Sequence, residues 1–182
     1  YKMAAIAGHP RAMYMVSEIL DDKKYEHKNK ELSFHWLKKS ADLNFNFALA
    51  NLGLCYLNGD RVKKDYEKAF IYFSGAAIQN IPLAQNNLGS MFVNNLGKEK
   101  DDVAALAWFL ISAANNYELA LSNISFLQKK MSESEIEKAK SMSVEISRLI
   151  ESSDEQNKYR SYVSELTQSD INNTVTRYEL TQ

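Results

Sequence analysis

Residues 48–84 read ALANLGLCYLNGDRVKKDYEKAFIYFSGAAIQNIPLA, and the rest of the chain repeats the plan of this stretch. Its pattern returns at a spacing of 36 residues, marked by Ala12, Ala48, Ala84 and Ala120. A fixed period between about 20 and 50 residues is the signature of a solenoid, in which each unit buries its apolar face only against its neighbours.

Aligned at that period, the columns become physical statements. A second small column holds Ala5, Ala41, Ala77 and Ala113, which lets helix backbones approach closely. Val16, Leu52, Leu88 and Ile124 form an apolar column, followed by Ser17, Gly53, Gly89 and Ser125. Glycine inside a helix costs about 1 kcal/mol relative to alanine. That cost is rational if Gly53 and Gly89 seat a neighbouring side chain. Leu20, Tyr56 and Phe92 form one aromatic-rich column, Trp36, Tyr72 and Trp108 another, with Leu37, Phe73 and Phe109 beside them. The i, i+3, i+4, i+7 spacing of Ala69, Tyr72, Phe73 and Ala76 marks a buried helix face.

Helix ends are equally legible. Gly8, Asn44, Asn80 and Asn116 share a column, and glycine and asparagine most readily take the left-handed conformation that ends a helix. Pro10 and Pro82 follow two residues later, where proline suits a first helical turn. Asn29, Asp65 and Asp101 each stand where an N-cap belongs. Asn58-Gly59-Asp60 reads as a turn, which gives a first helix at about 46–57 and a second at about 66–79.

The opening YKMAAIAGHP is in phase with the later half of a second helix, so the reading expects Tyr1 not to be the biological start. After Ala120 the pattern decays. Residues 121–128 still read as a first helix with Ile124 and Leu127 in core columns. Ser132 and Glu135 then have the spacing of a capping box, ahead of a helix with Ile136, Ala139, Met142, Ile146 and Leu149 on one face. Asp154 is read as capping a further helix with Tyr159, Tyr162, Val163 and Leu166 in phase. The expected division is a repeat array over 1–130, capping helices over 131–168 and a tail over 169–182.

The spacing in Ala48, Leu52, Gly53, Tyr56, Gly59, Asp65, Ala69, Phe73 and Ala77 resembles the Sel-one-like repeat. The next unit keeps Ala84, Leu88, Gly89, Phe92, Asp101, Ala105, Phe109 and Ala113, with Asn95 in place of the loop glycine. The first keeps Ala12, Leu37 and Ala41 and departs at Val16, Ser17, Leu20, Lys23 and Ser33. The resemblance implies an all-α fold, a right-handed superhelical solenoid of antiparallel helix pairs similar to tetratricopeptide repeats. It implies a concave surface, lined by the first helices, that binds proteins or peptides. It further implies a bacterial adaptor for secretion, envelope assembly or host interaction, or an immunity protein against a lipase-type toxin; the sequence leaves the compartment open between bacterial cytoplasm and periplasm.

Composition excludes other classes. A net charge of −1 with 22 basic and 23 acidic residues leaves no nucleic-acid footprint. Lys23, Lys24, Lys28 and Lys30 are offset by Asp21, Asp22, Glu26 and Glu31. A single cysteine, Cys55, forbids an internal disulfide, and its column with Ile19, Met91 and Leu127 makes it a core thiol. No apolar run reaches the roughly 18 residues of a transmembrane helix. His9, His27 and His35 lack metal-site spacing, and Asn95-Leu96-Gly97-Lys98 lacks the spacing of a phosphate loop. No cofactor is expected, and an enzyme is the least supported reading.

What remains for function is the side of the first helices turned away from the second ones. By phase it carries Tyr14, Glu18, Phe47, Leu54, Leu57, Asn86, Ser90, Val93 and Phe126, with Arg11, Ala50 and Ser122 beside them. This mix is more apolar than a solvated face needs, and it suits an extended or helical peptide. Leu54 and Leu57 are the foremost expected contacts, and packing against a neighbouring repeat or the C-terminal segment is the competing explanation.

Overall fold

The computed structural model describes residues 1–22 and 29–152. Among them all regular structure is helical. The elements are α1 (Lys2–Ile6), α2 (Pro10–Asp21), α3 (Lys30–Asp42), α4 (Asn46–Asn58), α5 (Tyr66–Ala77), α6 (Pro82–Val93), α7 (Asp102–Ala114), α8 (Leu119–Gln128) and α9 (Glu133–Glu151). The expected run of two-helix repeats is present. Lys23, Lys24, Lys28 and His27 lie outside the described residues, as do the helix expected after Asp154 and the tail 169–182.

The chain divides into two compact units, Tyr1–Ala76 and Ala77–Gln182. In the first, α1 packs on α2, α2 on α3 and α3 on α4. Its core includes Leu37, Leu52, Phe73 and the fully buried alanines Ala41, Ala48 and Ala69. Phe73 lies over Gly53: a Cβ on that glycine would sit 2.8 Å from the ring, so α4 and α5 close up only because none is there. In the second unit α6 packs on α7, and α7 also receives α8 and α9. Leu88, Leu106, Phe109, Leu127 and Ile146 are sealed from solvent, and Gly89 accommodates Phe109 as Gly53 does Phe73. The glycine column is thus a seat for the aromatic column of the next helix.

The helix ends follow the column rules. Gly8, Asn44, Asn80 and Asn116 all have positive φ, at 94°, 58°, 59° and 63°. The N–H of each donates to the alanine three residues back, Ala5, Ala41, Ala77 and Ala113. The following N–H of His9, Phe45 and Tyr117 reaches back five residues to Ala4, Ser40 and Ser112. These paired bonds satisfy carbonyls that a helix end leaves free. They also stop α5 at Ala77, short of the expected 79. The side chains of Asn29, Asp65 and Asp101 accept from the N–H three residues on, at 2.8, 3.0 and 2.9 Å. Ser132 and Glu135 form the reciprocal capping box that starts α9.

Two serines supply a further recurrent tie. Ser40 Oγ donates to the carbonyl of Pro10, and Ser112 Oγ to that of Pro82, both at 2.7 Å. Each joins a second helix to the first turn of the helix before it. Arg61, at φ 65°, closes the α4–α5 loop. Its guanidinium lies 3.1 Å from Asp60 and 3.7 Å from Asp21, and donates to Ser33 Oγ and Cys55 Sγ at 3.2 and 3.4 Å. Burial pushes the Cys55 thiol up, against the opposing pull of Arg61.

Candidate protein-binding face

In the first unit the candidate residues come from α2, α4 and the turn before α4. Tyr14 sits mid-way along α2, and the left-handed turn at Asn44 brings Phe45 and Phe47 to it. Ring centroids are 5.5 Å apart for Tyr14–Phe45, 6.1 Å for Tyr14–Phe47 and 5.9 Å for Phe45–Phe47, all tilted. Tyr14 and Phe45 are partly covered, whereas Phe47 is 50% exposed. One turn after Tyr14 stands the exposed Glu18, whose carboxylate neighbours the Tyr14 phenol. Asn51 Nδ2 donates to Glu18 Oε1 at 3.2 Å and reaches Tyr14 Oη at 3.3 Å, which fixes the carboxylate beside the phenol. Burial first, and then the charge of Glu18, raise the Tyr14 phenol above its ordinary 10.0.

Tyr14, Glu18 and Phe47 are therefore brought together, while Leu54 and Leu57 lie two and nearly three turns beyond Phe47 on α4. Both leucines are half-buried, so the expectation that they are the foremost exposed residues is corrected: on α4 it is Phe47 that stands open. Ala50, placed on this face by phase, is 2% exposed. Its methyl is too short to reach past its neighbours, unlike the tyrosine, asparagine and serine of the same column.

In the second unit Asn123 Nδ2 donates to Asn86 Oδ1 at 2.9 Å, one period plus one residue apart, as Asn51 and Tyr14 are. Ser90 and Val93 are half-buried on α6. Phe126 on α8 is 52% exposed, with Lys130 Nζ 3.8 Å from its ring centroid. A separate network in this unit is structural: the sealed Gln85 donates to the Ala77 carbonyl and Asn80 Oδ1, and Asn115 donates to both Asn80 and Gln85.

Phe45 and Asn51 escaped the sequence reading. A signal for Asn51 was present, since Asn51, Asn87 and Asn123 occupy one column. Phe45 lay in a turn, where helical phase assigns no face. Among the described residues no three His, Cys, Asp or Glu side chains gather as a metal site, and no helix is long and apolar enough to cross a membrane.

The Sel1 repeat family model matches residues 10–45, 46–80 and 82–117, each beginning at or next to the first residue of a first helix. The chain belongs to the Sel1 repeat family. Sel1-repeat proteins are generally protein-interaction scaffolds. A Sel1 repeat protein from Oxalobacter formigenes is similar in structure at TM-score 0.64 and 29% identity, covering 68% of this chain and 93% of that one. A protective antigen of uropathogenic Escherichia coli strains, with an SLR fold, matches at TM-score 0.73 and 30% identity. That match covers 80% of this chain and 31% of the antigen. A comparison with curated proteins found no match.

Proposed function

We propose that this Sel1-repeat chain is a non-catalytic scaffold that holds a protein or peptide partner on the outward face of its first helices. The observation that carries the reading is the Tyr14–Phe45–Phe47 cluster, with Phe47 half exposed and Tyr14 beside the amide-held carboxylate of Glu18. Interfaces concentrate their binding energy in such aromatic anchors, ringed by polar groups. Phe126, Asn86, Ser90 and Val93 offer a comparable mix in the second unit.

The test is crosslinking in cells of the native organism with a photoreactive phenylalanine at position 47 or 126. A partner captured at these positions, and lost with Phe47→Ala or Phe126→Ala at unchanged helicity, supports the face. A partner that binds equally well to both alanine variants removes it. A captured toxin enzyme silenced in a stoichiometric complex would make the scaffold an inhibitor.

A further inference from the structure

We infer that the Tyr14, Phe45, Phe47 and Glu18 face takes a cationic side chain, lysine or arginine, from a linear segment of the partner. This rests on the scaffold reading and specifies the chemistry of its ligand.

The first argument is electrostatic. The faces of aromatic rings are negative, and a lysine or arginine within about 6 Å of a ring centroid is attracted to them. Other rings among the described residues already have such a partner. Lys39 lies over Trp36 at 5.3 Å, Lys68 over Tyr56 at 5.4 Å, Lys64 over Tyr66 at 5.8 Å and Lys130 over Phe126 at 3.8 Å. Among the described residues none lies over Tyr14, Phe45 or Phe47, although Phe47 is as open as Phe126. The cluster is a π surface to which these residues supply no cation.

The second argument is Glu18. Its carboxylate stands exposed beside the Tyr14 phenol and is held there by neutral donors, Asn51 and that phenol. Among the described residues it has no ion pair. Arg11 lies on the same side of α2, two turns before Glu18, and Tyr14 stands between them in the helical register. A purely apolar ligand would strip water from Glu18 without replacing it, which is unfavourable. An acidic ligand would be repelled. A lysine or arginine meets both demands: its methylene stem lies on the Phe47 ring while its charged end reaches the carboxylate.

The experiment uses the full chain on an array of synthetic dodecapeptides of randomised sequence, followed by fluorescence anisotropy with the best-retained peptide. Retained peptides should be enriched in lysine or arginine next to apolar residues. Glu18→Gln should weaken that peptide about fivefold, in line with a partly exposed charge pair, and Phe47→Ala about tenfold or more. Glu137→Gln, an exposed acid on α9, should leave it unchanged. Replacing the peptide's basic residue by norleucine should weaken binding to the wild-type chain but add little in the Glu18→Gln background. Glu18→Lys should turn selection away from basic peptides. Retained peptides without basic enrichment, or a Glu18→Gln variant with unaltered affinity and selectivity, would overturn the inference and leave the scaffold reading intact. An array that retains nothing overturns it as well, since a linear segment is required. The scaffold reading then depends on the crosslinking result alone.

Discussion

The Phe109 ring of α7 occupies the space that a side chain on Gly89 of α6 would need. A Cβ there would meet two ring carbons at 2.7 Å and the Ala105 carbonyl oxygen at 3.0 Å. Gly89→Ala should therefore destabilise the chain by about 1–3 kcal/mol, overpacking outweighing a helix-propensity gain of about 1 kcal/mol. Gly53→Ala should cost less, because its close contact at 2.8 Å is with the Phe73 ring alone and no backbone atom is among its nearest neighbours. At Gly75 the nearest atom is a terminal carbon of the flexible Leu49 side chain at 3.3 Å, and alanine there should be neutral or stabilising. Chemical denaturation of the three variants checks the order, and equal stabilities would contradict it.

Ser40 ties α3, and Ser112 ties α7, to the carbonyl of a proline in the first turn of the preceding helix, and both serines are fully buried. Ser112→Ala should cost about 0.5–1.5 kcal/mol, the net worth of one hydrogen bond. Ser40→Ala should cost a similar amount. The second repeat has Ala76 in this column, so the tie adds stability without being required by the repeat. Denaturant midpoints measured at constant slope would show it.

Asp65 makes stability depend on acid. The Lys68 amide that donates to it holds its carboxyl below the ordinary 3.8. A carboxyl lowered by folding contributes stability that is full above its unfolded value and is lost as pH falls through its folded one. Asp65→Asn keeps a capping side chain but should flatten that part of the acid limb below about pH 4. Stability measured from pH 6 to pH 2 in both proteins tests this; parallel curves would mean that Asp65 is not a source of the acid dependence.

Cys55 should be chemically quiet in the folded chain. It is 3% exposed and its thiol is pushed up by burial, so little thiolate is present at neutral pH. A thiol reagent at pH 7.5 should react slowly with the native chain and rapidly in denaturant. Arg61→Ala removes the guanidinium that touches its sulfur and ties Asp60, Asp21 and Ser33, and should raise the native rate by loosening the loop. Fast reaction in the native wild-type chain would contradict the sealed position.

Much of the fold was legible because its rules are local. The left-handed turns at Asn44, Asn80 and Asn116, the caps at Asn29, Asp65 and Asp101, and the capping box of α9 each rest on residues within about five positions of one another. Gly53 and Gly89 were readable for another reason: a glycine repeated inside helices, one period from its copy, is expensive unless something fills its place.

The candidate face was legible only in part. Helical phase put Tyr14, Glu18 and Phe47 on one side, but it also put Ala50, Leu54 and Leu57 there, and it has no means of ranking them. Exposure depends on which neighbouring elements cover a side chain and how far that side chain reaches, which is why Ala50 is sealed, the leucines are half-covered and Phe47 stands out.

By itself, then, the sequence determined the period, the all-helical repeats, the helix ends and the small-residue seats, because backbone geometry and close packing impose them at fixed spacings. The tertiary structure alone decided that Phe45 joins Tyr14 and Phe47, and that Asn51 holds Glu18 beside the Tyr14 phenol. The contacts of Tyr14 with Phe45 and Phe47, and of Asn51 with Glu18, link residues 31 or 33 positions apart, and they form only when one repeat is packed against the next.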